Sequence, residues 1–124
     1  MTVLIVENLP LLRRLFVETL TAEGEPVLSA ASYEEALDLA EHGVSRVITD
    51  INLGGRSGLE LLKELRARRP ELPVACMSAD RSLLVEAGRA GADALLQKPF
   101  DLDDLRLIAR LLRLEAEIPA RFRP

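Results

Sequence analysis

Five short apolar runs, each followed by a segment of helical periodicity, constrain this chain more than any other feature. The runs are Val3 to Val6, Pro26 to Ala30, Arg46 to Thr49, Val74 to Met77 and Ala94 to Leu96. Strands that read as near-continuous apolar stretches, rather than alternating ones, are covered on both faces. The pattern therefore predicts a doubly wound α/β fold: a five-stranded parallel sheet between layers formed by five helices, joined by right-handed crossovers.

The helical segments carry their own boundaries. Pro10 suits a first helical turn, Leu12, Phe16 and Leu20 recur every four residues, and Gly24 ends the segment. Ser32 and Glu35 have capping-box spacing and open a helix that Gly43 closes. Ser57 and Glu60 repeat that spacing before Leu61, Leu62 and Leu65, and this helix stops before Pro70. A shorter helix runs from about Ser82 to Arg89, and Asp101 caps a fifth carrying Leu102, Leu105, Ile108, Ala109 and Leu112. Arg106, Arg110 and Arg113 on that helix read as a solvated face.

The 124 residues suit one domain, taken as 1–116 with a tail at 117–124, and 48% apolar residues suffice for its core. Sixteen basic against twenty acidic residues give a net charge of -4, the wrong sign for a nucleic-acid or anionic-membrane binder. No run is long enough to span a membrane, and the start lacks a basic leader, so a soluble, cytoplasmic protein is expected. Cys76 is the lone cysteine, inside an apolar run, and reads as a small core residue; His42 reads as solvated.

In open parallel sheets the ligand crevice lies beyond the carboxyl ends of the strands. The expected strand ends are Glu7-Asn8, Asp50 with Ile51-Asn52 following, Ser78, and Lys98-Pro99-Phe100. Two carboxylates and an amide, without thiolate or imidazole, suit a hard divalent cation such as Mg2+. Lys98 supplies an opposing charge. An aspartate beside Mg2+, an ammonium and a hydroxyl suits in-line attack on a phosphoryl donor, giving phospho-Asp50. The chain has no G-x-G-x-x-G, no P-loop and no Trp, which argues against a nucleotide or flavin enzyme.

Taken together, Val3-Leu4-Ile5-Val6-Glu7-Asn8, the stretch Asp50 to Leu61, Ser78-Ala79 and Lys98-Pro99-Phe100 resemble a bacterial two-component response-regulator receiver domain of the chemotaxis type, over nearly the whole chain. The resemblance implies a flavodoxin-like strand order 2-1-3-4-5 and a cis Lys98-Pro99 bond. It makes Asp50 the phosphoacceptor, Lys98 the ligand of a phosphoryl oxygen and Ser78 the hydroxyl that turns toward the phosphoryl group. Glu7, Asn8, Asp50 and the Asn52 backbone carbonyl would hold Mg2+. The implied function is a single-domain phosphorelay receiver rather than an enzyme. It would be charged by a sensor histidine kinase or histidine phosphotransfer protein and signal to a protein target through its helix 4, strand 5, helix 5 face. Leu11 and Leu15, beside Arg14, lie where relatives meet the donor. The alternative is a phosphorylation-independent interaction or dimerisation module, with a homodimer among its forms.

Three positions depart from the family pattern. Asn8 stands where a second acid is usual, so Mg2+ should bind more weakly; it also stands where it could cap the first helix. Leu95 replaces a common aromatic and cannot reproduce its rotation. Gly54 replaces a common proline and is expected to loosen the loop after Asp50.

Overall fold

The computed structural model describes residues 1–118. In chain order the elements are β1 (Thr2–Val6), α1 (Pro10–Ala22), β2 (Val27–Ala30), α2 (Tyr33–Leu39), β3 (Val44–Asp50), α3 (Gly58–Arg68), β4 (Val74–Ser78), α4 (Arg81–Arg89), β5 (Ala94–Gln97) and α5 (Leu102–Glu117). All strand pairs are parallel and the order is β2-β1-β3-β4-β5, as the resemblance implied.

The apolar runs are continuous because each strand feeds two cores. Leu4, Val6, Val47, Val74 and Cys76 point to the side covered by α2, α3 and α4. Val3, Ile5, Ile48, Ala75 and Met77 point to the side covered by α1 and α5. Cys76 is fully buried and its thiol is pushed up to about 12 by that burial, so it stays protonated and packs as a small apolar residue.

Several boundaries move from those expected. Strand β3 begins at Val44, two residues earlier. Helix α2 ends at Leu39, and Gly43 closes the following turn at φ 75° instead of the helix itself. Helix α4 starts at Arg81 because Asp80 is the cap: its Oδ1 accepts from the Ser82 and Leu83 N–H groups at 2.8 and 3.3 Å. Helix α5 continues through Glu117; residues 119–124 of the expected tail lie outside the described residues.

Arg46 is the largest surprise in the core. Although it sits in a run read as apolar, it is fully buried and forms a two-pronged pair with Glu25 at 2.8 and 3.1 Å. It also donates to the carbonyls of Ala109 and Met1 at 2.9 and 2.7 Å. Arg113 reaches the same Glu25, and Arg110 pairs with Glu23 at 2.5 Å. Two of the three arginines expected to face solvent are thus tied to glutamates just beyond α1.

Breaking a buried pair strands the surviving charge, whereas an exposed pair is worth little. Glu25→Ala is expected to cost about 3–5 kcal/mol in urea unfolding. Glu18→Ala, which removes an exposed partner of Arg14 (2.9 Å), should cost less than about 1 kcal/mol.

Candidate functional site

The parallel register decides which strand ends become neighbours. Val6 pairs with Thr49 and Asp50 with Met77, so Glu7, Asp50 and Ser78 leave β1, β3 and β4 nearly in step. Ser78 pairs with Gln97, which puts Lys98 on the same rim; the Lys98-Pro99 bond is cis.

Lys98 joins the two acids. Its Nζ lies 3.1 Å from Glu7 Oε1 and 2.9 Å from Asp50 Oδ2. Glu7 is fully buried, and burial pushes its carboxyl above the usual range; the charge of Asp50 adds to this, while the Leu9 N–H and Lys98 pull it back. For Lys98, burial opposes the charged form, but the hydrogen bonds and charges of Asp50 and Glu7 outweigh it and its pKa is raised. The ammonium is therefore held charged between two acids in a half-buried pocket.

Asn8 lies on the outer side of this pair. With its amide nitrogen turned inward it donates to Glu7 Oε2 at 3.2 Å and to the Asn52 carbonyl at 3.1 Å. It does not cap α1: Leu9 holds the cap position, and Glu7 Oε2 accepts from the Leu9 N–H at 3.2 Å. The reason is geometric: Pro10 fills the first helical position, so Leu9 is the cap residue and Asn8, one residue earlier, turns its side chain toward the pocket. Asn52 uses its own Oδ1 to accept from Gly54 N–H at 3.2 Å, which leaves its backbone carbonyl for the pocket. Gly54 takes φ 80°, a left-handed turn closed to proline, so the common proline could not stand here in this conformation.

Ser78 is buried, and its Oγ accepts from the Asp80 N–H at 3.0 Å, leaving the hydroxyl proton free to be donated elsewhere. Leu95 lies on β5 with its side chain partly exposed, one residue along from the strand position opposite Met77. His42 is exposed beyond α2, away from the rim.

Two residues that shape the pocket were not singled out from the sequence. A Cβ on Gly58 would come within 2.1 Å of the Asp50 carbonyl oxygen, so only glycine lets α3 start directly beneath the aspartate. The Gly58 N–H donates to the Ile51 carbonyl at 2.8 Å and anchors that approach. The signal was available in the Ser57-Gly58 start of the capping box. Arg13, one turn into α1, donates to the Glu7 carbonyl at 2.9 Å; nothing in its spacing marked it.

The oxygens of Glu7, Asp50 and the Asn52 carbonyl converge at the rim, with the Asn8 amide oxygen available if the amide turns over. This all-oxygen set fits a hard cation such as Mg2+. It is poorer in charge than a three-acid cluster, and among the described residues no group of three or more His, Cys, Asp or Glu is placed to hold a metal ion.

Residues 3–110 match the family model of the response regulator receiver domain. FleR, a response regulator protein of Pseudomonas aeruginosa, is 42% identical over 114 residues, covering 87% of this chain and 24% of FleR. The receiver domain of NtrX from Brucella abortus superposes with a TM-score of 0.83 at 33% identity, over 89% of this chain and 96% of that one. Chemotaxis response regulator CheY4 of Vibrio cholerae gives a TM-score of 0.81 at 26% identity, over 90% and 97% of the two chains. The chain spans only 24–29% of the length of curated relatives such as FleR. No helix among the described residues is long and apolar enough to cross a membrane. With its fold, the step of its strand ends and a family match over almost its full length, the chain belongs to the response regulator receiver domains, the phosphorylation-based signalling modules of two-component systems.

Proposed function

We propose that this chain is a cytoplasmic receiver that accepts a phosphoryl group from a histidine kinase or histidine phosphotransfer protein onto Asp50 and signals by contact with a downstream protein. The observation that carries the reading is the Lys98 ammonium held between Glu7 and Asp50 at the carboxyl rim of the sheet. An Asp50 oxygen attacks phosphorus in line as the phosphorus–nitrogen bond to the donor imidazole breaks; the bonding pair leaves with the ring, which takes a proton from solvent. Lys98 exchanges an aspartate oxygen for a phosphoryl oxygen, and the free Ser78 proton is donated to another. Glu7, Asp50, the Asn52 carbonyl and Asn8 would hold Mg2+, which supplies charge stabilisation to the transferring oxygens when bound. Leu11 and Leu15, exposed on α1 beside Arg14, support a donor-docking role for that helix.

The Asn8 geometry favours a second reading, a receiver that works without phosphorylation as an interaction or dimerisation module. Its amide donates to Glu7 and to the Asn52 carbonyl, so the pocket satisfies those oxygens without a cation. Both readings keep the acidic net charge, which disfavours nucleic acid as a partner.

Incubation with a phosphohistidine donor or acetyl phosphate and Mg2+ should give a hydroxylamine-labile adduct that Asp50→Asn abolishes. Absence of the adduct with every donor, alongside a partner complex indifferent to Asp50→Asn, favours the second reading. Lys98→Met should slow adduct formation by about a hundredfold or more, the usual cost of losing one stabilising donor.

Asn8→Asp should tighten Mg2+ binding by roughly tenfold, measured by calorimetry, because ligand charge sets the affinity of such sites. In EDTA the same variant should melt about 2–5 °C lower, since a third acid joins an unneutralised pair.

Stability should also follow the pocket's charges. The Lys98 contribution, from a pKa raised on folding, is complete below the ordinary lysine value of 10.5 and is lost as pH climbs through the folded value. Glu7, also raised, opposes folding once ionised, so the penalty grows as pH rises from the ordinary glutamate value of 4.5 through its folded value. In Lys98→Met the alkaline loss should shrink and the Glu7 carboxyl should titrate higher, read by carbon NMR of the glutamate carboxyls.

A further inference from the structure

The buried Arg46–Glu25 pair lies behind a cleft that the phosphorylation pocket does not use. Glu23 and Glu25 line it from the turn after α1, and Arg106, Arg110 and Arg113 line it from α5, around a volume of about 280 Å³. The three arginines follow one another at intervals of four and three, which puts them on one face of the helix.

These arginines outnumber the acceptors that face them. Arg46 takes both oxygens of Glu25, at 2.8 and 3.1 Å, so that carboxylate is already neutralised when Arg113 approaches the same Oε1. The Arg113 Nε–H is buried and has no acceptor among the described residues, although the side chain as a whole is partly exposed and free to turn. Arg110 pairs with Glu23 at 2.5 Å and Arg106 with Asp103 at 2.6 Å, but the Asp103 side chain is 89% exposed and water competes for that pair. Glu117 adds its field to Arg46 without lining the cleft. The walls thus carry three positive groups against two negative ones, and one of those two belongs to Arg46. A buried donor without an acceptor is rare in a folded chain and marks a place where an acceptor is missing. Guanidinium forks match phosphate oxygens, which point in several directions at once, whereas a carboxylate offers two oxygens in one plane. The volume falls just short of the roughly 300–1,000 Å³ of ordinary small-molecule sites, so it suits a phosphoryl group better than a nucleotide.

We propose that the cleft between α5 and the turn after α1 binds a small phosphoryl dianion, inorganic phosphate or the phosphate of a small metabolite, among Arg106, Arg110 and Arg113. The dianion gives Arg113 the acceptor it lacks and competes with Glu23 for Arg110, while Glu25 stays with Arg46. Because one ion pair is exchanged for another, binding is modest, half-complete at roughly 1 mM. An occupied cleft ties α5 more firmly to the turn after α1. The proposal does not rest on phosphoryl transfer to Asp50, since no residue of the cleft belongs to the rim.

Inorganic phosphate is titrated into the full chain at low ionic strength in EDTA, where the two acids of the rim repel anions. Saturable NMR shifts of backbone amides and arginine side chains should be confined to α5 and the turn after α1. The melting temperature should rise by about 3–6 °C at ten times the half-saturating concentration. Arg106→Gln with Arg110→Gln should weaken binding at least about tenfold and lose that rise, which general stabilisation by excluded phosphate would leave intact. Both pairs are partly exposed, so without phosphate this variant should melt within about 3 °C of the parent. Glu23→Gln should tighten binding about threefold by removing the competing carboxylate, a gain that a purely structural ion-pair cluster would not show. Glycerol phosphate binding more tightly than inorganic phosphate supports a metabolite as the source, and the reverse order supports the free ion. Malonate, a dianion with planar heads, should bind about fivefold more weakly or worse. Shifts centred on Glu7, Ser78 and Lys98, no saturation by about 20 mM, equal affinity for malonate, or indifference to the paired glutamine substitutions each overturns the proposal.

Discussion

A parallel sheet covered on both faces leaves polar side chains no place along its strands except the ends, and this constraint organises the molecule. At the carboxyl end it gathers Glu7, Asp50, Ser78 and Lys98, because β1, β3, β4 and β5 finish almost in step. Two buried acids brought together repel each other, and the Lys98 bridge is what makes their approach tolerable. The pocket is therefore assembled by the register of the strands and held by one ammonium.

The opposite end of the sheet breaks the rule and shows its cost. Arg46 enters the core from β3, and it persists there because Glu25 neutralises it and two backbone carbonyls accept the other protons of its terminal nitrogens, the buried Nε–H alone staying unpartnered among the described residues. The same glutamate draws in Arg113, which ties the last helix to the turn after α1. One buried charge thereby fixes the rotation of α5, turning its arginine flank toward α1 and its outer leucines toward solvent.

Much of the pocket was legible from Glu7, Asp50, Ser78 and Lys98, because a polar residue directly after an apolar run marks a strand end whatever the surrounding packing. Asn52 was legible only as a backbone carbonyl. Asn8 was half legible: its missing charge is a matter of sequence, but its turn toward Glu7 and Asn52, away from the helix end, depends on where Pro10 and the loop of Gly54 lie. The left-handed turn at Gly54 was not legible, since the sign of φ cannot be seen in a residue's identity. Gly58 escaped notice because its importance lies in a backbone contact with Asp50 eight residues away.

The sequence by itself determined the succession of strands and helices along the chain, the two-faced burial of the sheet and the identity of the polar rim, since periodicity and capping are local properties that each segment carries with it. Tertiary structure alone decided which charges find each other. Lys98 meets Glu7 across 91 positions, and Arg46 meets Glu25 across 21. Such partners are set by strand order and helix rotation, which arise from packing many segments at once, so no local pattern announces them.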